Sequence, residues 1–206
     1  MSISADLLEI EAVFLRPDDP FTWASGIKSP IYCDNRLILS APVVRRRVED
    51  ALAQMITTEF PGVESLMGTA TAGIAHAALA AERLDLPMGY VRGGNKSHGR
   101  GNQIEGRLEP GTKVVVVEDL VSTGGSVLEA VSALRVAGAE VLGIAALFTY
   151  NMAKAAERMT EANIRYSALS NLDELVQEAA QTGYVTQEQA DSILSFRDNP
   201  SQWWSK

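Results

Sequence analysis

A single cysteine, Cys33, stands in 206 residues, so an intrachain disulfide framework and a cysteine-rich zinc site are both excluded, and a reducing compartment suits the chain. Cys33 itself reads as a small apolar side chain meant for burial. Positive charge is also scarce: 18 Lys and Arg against 26 Asp and Glu leave a formal net charge of −8. That excludes a broad electrostatic footprint for nucleic acid, while leaving room for a local basic site. No apolar run approaches the roughly 20 residues of a membrane span, and "MSISADLLEIEAVF" carries acids where a signal peptide needs positive charge. A cytoplasmic protein with no membrane and no nucleic-acid partner is expected. Internal repeats, low-complexity segments and a dividing linker are absent too, so residues 1–206 are expected to form one domain.

Two common phosphate-binding motifs are also missing. "GTATAGIA", from Gly68, has the glycine spacing of a P-loop, but Ile74 and Ala75 stand where Lys and Ser or Thr are required. No G-x-G-x-x-G follows a strand in the context that a nicotinamide cofactor needs. Neither an ATPase nor a dinucleotide enzyme is expected.

What is present is an alternation of strand and helix signals, which makes the class α/β with a mostly parallel sheet. "VESLMGT" (63–69), "PMGYVR" (87–92), "KVVVVEDL" (113–120) and "EVLGIAALF" (140–148) read as strands, apolar on both faces as parallel strands covered by helices are. A small-residue helix over 73–84 follows the first. Another follows the third, with Val127, Val131 and Leu134 on one face and Gly138 at its end. Ser4 is expected to cap a first helix running to Phe14, and Ser40 with Pro42 to start one that ends near Phe60. The C-terminal third holds short helices at "LDELVQEAAQ" and "TQEQADSILSF". Trp203 and Trp204 in its tail are expected to pack on the body or on a partner subunit.

The chemistry concentrates in "VVVVEDLVSTGGS", 114–126. In an open parallel sheet, ligands bind beyond the carboxyl ends of the strands. Glu118 and Asp119 stand there, and they are expected to emerge unburied and to accept hydrogen bonds from a ribose diol. Gly124 and Gly125 free backbone N–H groups at a helix start, and with the hydroxyls of Ser122, Thr123 and Ser126 they make a cradle for a phosphate monoester. A second constellation, "YVRGGNKSHGRGNQIEG" (90–106), has too much glycine to build a core. Its Arg92, Lys96, His98 and Arg100 suit a lid or long hairpin that neutralises a departing diphosphate. His76, within an alanine-rich helix, reads as structural.

"VVVVEDLVSTGGS" resembles the phosphoribosyl diphosphate signature of type I phosphoribosyltransferases. "FTWASGIKSPIYCDNR" and "KSHGRGNQIEG" are similar to the orotate phosphoribosyltransferases within that family, and the three motifs occur in order between about residue 5 and residue 150. The resemblance implies a type I phosphoribosyltransferase fold: a mostly parallel central sheet flanked by helices, a small hood from about residues 1–40 with C-terminal elements, and a mobile lid. It implies transfer of ribose 5-phosphate from 5-phosphoribosyl 1-diphosphate to orotate in pyrimidine synthesis. Mg²⁺ would be held through the substrate with no direct protein ligand, in a homodimer whose lids reach across subunits. It places Lys96, His98 and Asp119 in catalysis. Arg92, Lys96 and His98 would meet the diphosphate, and Glu118, Asp119, Leu120, Val121, Ser122, Thr123, Gly124, Gly125 and Ser126 the ribose 5-phosphate. Ser122, Tyr32 and Lys28 would meet orotate. Ala24, Ala72 and Gly93 replace lysines of another branch, and Tyr150 replaces its orotate-binding arginine, so fewer cations face the diphosphate. Two other readings remain: a transferase for a different base, and a non-catalytic phosphoribosyl diphosphate sensor, which would need a DNA-binding element that is not evident here.

Overall fold

The computed structural model describes residues 2–23, 26–94 and 103–204. The N-terminal part comprises α1 (Ile3–Glu9), β1 (Val13–Leu15), β2 (Phe21–Thr22), β3 (Lys28–Ser29), β4 (Ile31–Cys33) and a 3-10 turn at Asn35–Ser40. There follow α2 (Pro42–Glu59), β5 (Ser65–Thr69), α3 (Ala72–Leu84), β6 (Met88–Val91), β7 (Ile104–Glu105), β8 (Lys113–Val121), α4 (Gly125–Val136) and β9 (Glu140–Thr149). The chain continues through α5 (Ala153–Glu161), β10 (Tyr166–Asn171), α6 (Leu172–Gln181) and α7 (Gln187–Asp198).

Six strands form the central sheet in the order β10-β9-β8-β5-β6-β7. All neighbours are parallel except β6 and β7. The run of valines is explained by the two faces of β8. Val115 and Val117 face the core shared with α3, α2 and the C-terminal helices, whereas Val114 and Val116 face the core shared with Val127, Val131 and Leu134 of α4. Side chains alternate across a strand, so a centre buried on both sides needs an apolar residue at every position. All four valines are fully buried. Among the described residues, no helix is long and apolar enough to cross a membrane.

Two helix starts differ from expectation. Ser2, not Ser4, caps α1, accepting from the Ala5 amide at 3.1 Å. Ser4 is buried instead, its hydroxyl 2.7 Å from that of Ser170. The helix stops at Glu9 because Glu11 takes a positive φ and Val13–Leu15 is drawn into antiparallel pairing with Ile31–Cys33, a sequence-distant contact that outweighs local helical pattern. At α2, Pro42 opens the helix as expected, but Ala41 holds the cap position and Ser40 does not cap. Strand β10, which was not expected, extends the sheet beside β9.

The segment expected to be a lid or hairpin has a hairpin base: Tyr90 pairs with Glu105, Val91 with Ile104, and the Arg92 amide donates to the Gln103 carbonyl at 2.7 Å. His76 is fully buried in α3, with Nδ1 2.6 Å from Oε1 of the equally buried Glu49 on α2, and is structural. In the tail, Trp203 donates through Nε1 to the Ser192 carbonyl at 2.7 Å and packs edge-on against Phe196. Phe196 in turn meets Trp23 of the hood.

Candidate active site

Strand β8 ends beside a cleft of about 290 Å³ whose wall includes Thr69–Ala72, Arg92, Glu118, Asp119 and Ser126. The two acids do not stand alike. Glu118 is only 6% exposed, contrary to the expectation that both carboxylates emerge into solvent. Its Oε1 accepts from the Thr69 hydroxyl at 2.7 Å and from the Asp119 amide at 3.0 Å, so it folds back toward β5. Burial above all, then the adjoining Asp119 carboxyl, pushes its pKa from 4.5 up to about 8, against the opposing effect of the Thr69 bond. Asp119 is half-buried at the cleft.

Beyond β8 the chain turns into α4. Gly124 holds the N-cap position at φ +78°, a left-handed conformation that side chains with a Cβ resist. A Cβ there would also press on Met159 at 2.9 Å. No side chain caps α4, so its first N–H groups are free for an anion. The loop is held from behind by Arg158 of α5, which donates to the Thr123 carbonyl at 3.0 Å and the Thr123 hydroxyl at 3.3 Å. Val121 turns its side chain into the core. Leu120 lines the cleft.

Across the cleft, β5 gives way to the loop at 70–72 and to α3, whose N-terminus also lacks a side-chain cap. Gly73 permits this approach: a Cβ there would lie 2.5 Å from the Val117 carbonyl oxygen and 2.6 Å from Thr69 Oγ1. Arg92, half-exposed at the hairpin base, pairs with Glu105 at 3.0 Å. Lys96, His98 and Arg100 lie outside the described residues, as does Ala24. Gly93 and Ala72 line the cleft without charge.

In the hood, Tyr32 is 42% exposed, with its ring against Phe21 at 5.5 Å. Lys28 is exposed, donating to the Thr22 hydroxyl at 2.7 Å across the β2–β3 hairpin. Tyr150 is buried and stacked on Trp23, and burial chiefly raises its pKa. It stays neutral and cannot supply an arginine's charge. Burial likewise pushes the Cys33 thiol up, keeping it protonated, in keeping with an inert role. Thr69 and Arg158 escaped the sequence reading, because no local pattern announces a hydroxyl or guanidinium that acts on a loop far along the chain. No group of three or more His, Cys, Asp and Glu side chains suited to a metal ion occurs among the described residues.

The phosphoribosyl transferase domain family matches residues 37–183. An orotate phosphoribosyltransferase of Lactococcus lactis subsp. cremoris (strain MG1363) is 54% identical over 202 residues, which cover 98% of this chain and 97% of that one. That of Listeria monocytogenes serotype 4b (strain F2365) is 54% identical over 98% of this chain and 96% of its own. Among solved structures, orotate phosphoribosyltransferase from Aeropyrum pernix superposes with a TM-score of 0.78 at 30% identity, covering 89% of this chain and 99% of that chain. Leishmania donovani UMP synthase gives a TM-score of 0.82 at 27% identity over 95% of this chain, which spans 41% of that longer protein.

Proposed function

The chain belongs to the phosphoribosyl transferase domain family, alongside orotate phosphoribosyltransferases that match it over nearly its whole length, and we infer from its cleft how its residues carry out their reaction. It transfers the ribose 5-phosphate of 5-phosphoribosyl 1-diphosphate to orotate, giving orotidine 5′-phosphate and diphosphate, a step of pyrimidine biosynthesis. The observation that carries the division of labour is the junction of β8 with α4, where an acid pair and an uncapped helix start adjoin one cleft.

Amides and hydroxyls of Ser122, Thr123, Gly124, Gly125 and Ser126 receive the 5-phosphate, with Arg158 holding the loop in shape. Leu120 and Val121 lead the backbone into that loop. Asp119 and Glu118 take the ribose hydroxyls. Arg92, Lys96 and His98, with the uncapped N-terminus of α3, meet the diphosphate, while Tyr32, Lys28 and Ser122 meet orotate. Mg²⁺ keeps several waters and leans on substrate phosphates, so it would be held through the substrate, with the half-buried Asp119 carboxylate at the cleft as a nearby oxygen donor. When bound, Mg²⁺ supplies charge that neutralises the diphosphate. Cleavage of the C1′ bond builds positive charge on the ribose and negative charge on the leaving group, so these side chains act as preorganised electrostatics rather than as nucleophiles. Pairing of two chains, with the lid of one over the cleft of the other, belongs to the same reading. It is supported by Leu37 and Val43, exposed on adjoining elements.

The direct test is loss of orotate absorbance on adding 5-phosphoribosyl 1-diphosphate and Mg²⁺, with each omitted in turn. Unchanged absorbance in the complete mixture refutes the assignment.

Glu118 makes the ligand-free protein pH-sensitive. Its pKa is raised in the folded state to about 8 from 4.5, so its contribution to stability is fully present below about 4.5 and is lost as the pH rises through about 8. Glu118→Gln removes that titration. The melting temperature of the wild type relative to Glu118→Gln is expected to fall steadily as the pH rises through this window. A difference that stays level in thermal scans contradicts the buried, protonated carboxyl.

A further inference from the structure

Pairing of β5 with β8 ends at Gly68 and Val117, because β5 then leaves for the loop at 70–72. Carbonyls two residues apart on a strand point toward the same neighbour. That of Val117 faces β5, where the Thr69 hydroxyl donates to it at 3.3 Å. That of Asp119 points along the same edge, past the last residue β5 offers. A backbone carbonyl withdrawn from water needs a donor.

The donor comes from the hood. Asn35, in the turn after β4, donates through Nδ2 to the Asp119 carbonyl at 2.7 Å, across 84 positions of sequence. Asn35 is 1% exposed and is not part of the cleft wall. Its Oδ1 accepts from the Cys33 thiol at 3.3 Å, and the thiol, kept protonated by burial, fixes which way round the amide lies. The turn itself is anchored, since the Asp34 amide donates to the Ala12 carbonyl at 2.8 Å and the Asp34 carboxylate accepts from the Arg36 amide at 3.2 Å.

We propose that Asn35 is a positioning residue for the transfer reaction: its side-chain amide stands in for the missing strand partner, holds the Asp119 peptide, and so aims the Asp119 carboxylate at the ribose. The same bond ties the hood to the acid pair. This rests on the reading of Asp119 under Proposed function. The titratable and charged groups around this junction are Tyr32, Cys33, Asp34, Arg36, Glu118, Asp119 and Tyr150. All are shared by wild type and variants, so each variant is read as a ratio to wild type at the same pH.

Two substitutions of similar shape separate positioning from packing. Asn35→Leu removes the donor at every pH, and kcat/KM for 5-phosphoribosyl 1-diphosphate should fall about 10- to 100-fold, by a ratio that does not change with pH. Asn35→Asp keeps a donor only while its carboxyl is protonated, and once ionised it sets an acceptor against the Asp119 carbonyl, so its deficit should grow as the pH rises through that carboxyl's titration and stand at its full size above it. Calorimetric affinity for ribose 5-phosphate, which needs no base, should weaken in parallel in both variants. Asn35→Leu within about twofold of wild type, or an Asn35→Asp ratio that is flat with pH and within about twofold of wild type, overturns the proposal. If Asn35→Leu does not fold, the Asn35→Asp profile decides alone. A wild type that fails to turn over orotate overturns the functional reading instead, and the ribose 5-phosphate affinities then decide the role of Asn35.

Discussion

Lys96→Ala is expected to lower kcat by about 100-fold or more, with a smaller change in KM, because the lost charge partner matters most as diphosphate departs. The described part of the cleft has few cations to compensate. Arg92 lines it but is already paired with Glu105 at 3.0 Å, and Ala72 and Gly93 stand in the wall without charge. The eight residues 95–102, which carry Lys96 and His98, lie outside the described residues. Their flanks are nonetheless held at the cleft by the Val91–Ile104 pair and the bond from the Arg92 amide to Gln103. Separate measurement of kcat and KM with saturating Mg²⁺ checks this. Near-normal turnover would remove the segment from the chemistry.

Gly73→Ala is expected to destabilise the protein by about 2 kcal/mol or more. Two effects oppose each other. Alanine favours a helix over glycine by at most about 1 kcal/mol. Against that, the new methyl would lie 2.5 Å from the Val117 carbonyl oxygen and 2.6 Å from Thr69 Oγ1, and the carbonyl is fixed within β8. The start of α3 must therefore shift, and with it the Thr69 hydroxyl that holds Glu118 at 2.7 Å. Activity should fall along with the melting temperature, the latter by about 4 °C or more for a chain of this length. An unchanged or raised melting temperature in calorimetry would show that α3 has room against β8.

Much of the candidate site was legible because its parts are contiguous. Glu118 to Ser126 run directly from strand to helix, so a strand period, an acid pair and a glycine turn could be read from one stretch without any knowledge of the rest of the chain. The residues that shape that stretch were not legible. Thr69 reaches Glu118 from 49 positions away, Asn35 reaches Asp119 from 84, and Arg158 reaches Thr123 from 35. Each side chain looks ordinary in its own neighbourhood. The misjudged burial of Glu118 has the same origin: both strands were visible, but not that β5 lies beside β8 and sets Thr69 over the Glu118 carboxyl. The same limit applies to the first helix, where Val13 and Phe14 looked helical until Val13–Leu15 paired with Ile31–Cys33.

By itself, then, the sequence determined the α/β class, the buried double-faced strand at its centre and the glycine turn into a helix at that strand's end, since local periodicity and backbone freedom are properties of neighbouring residues. Only the tertiary structure decided that the two acids differ, one buried and folded back beneath Thr69 with its pKa raised and the other set at the cleft. It likewise decided that an asparagine of the hood completes the strand edge beneath the second. Burial and hydrogen-bond partnership depend on which distant segments meet, and a carboxylate's charge follows from both.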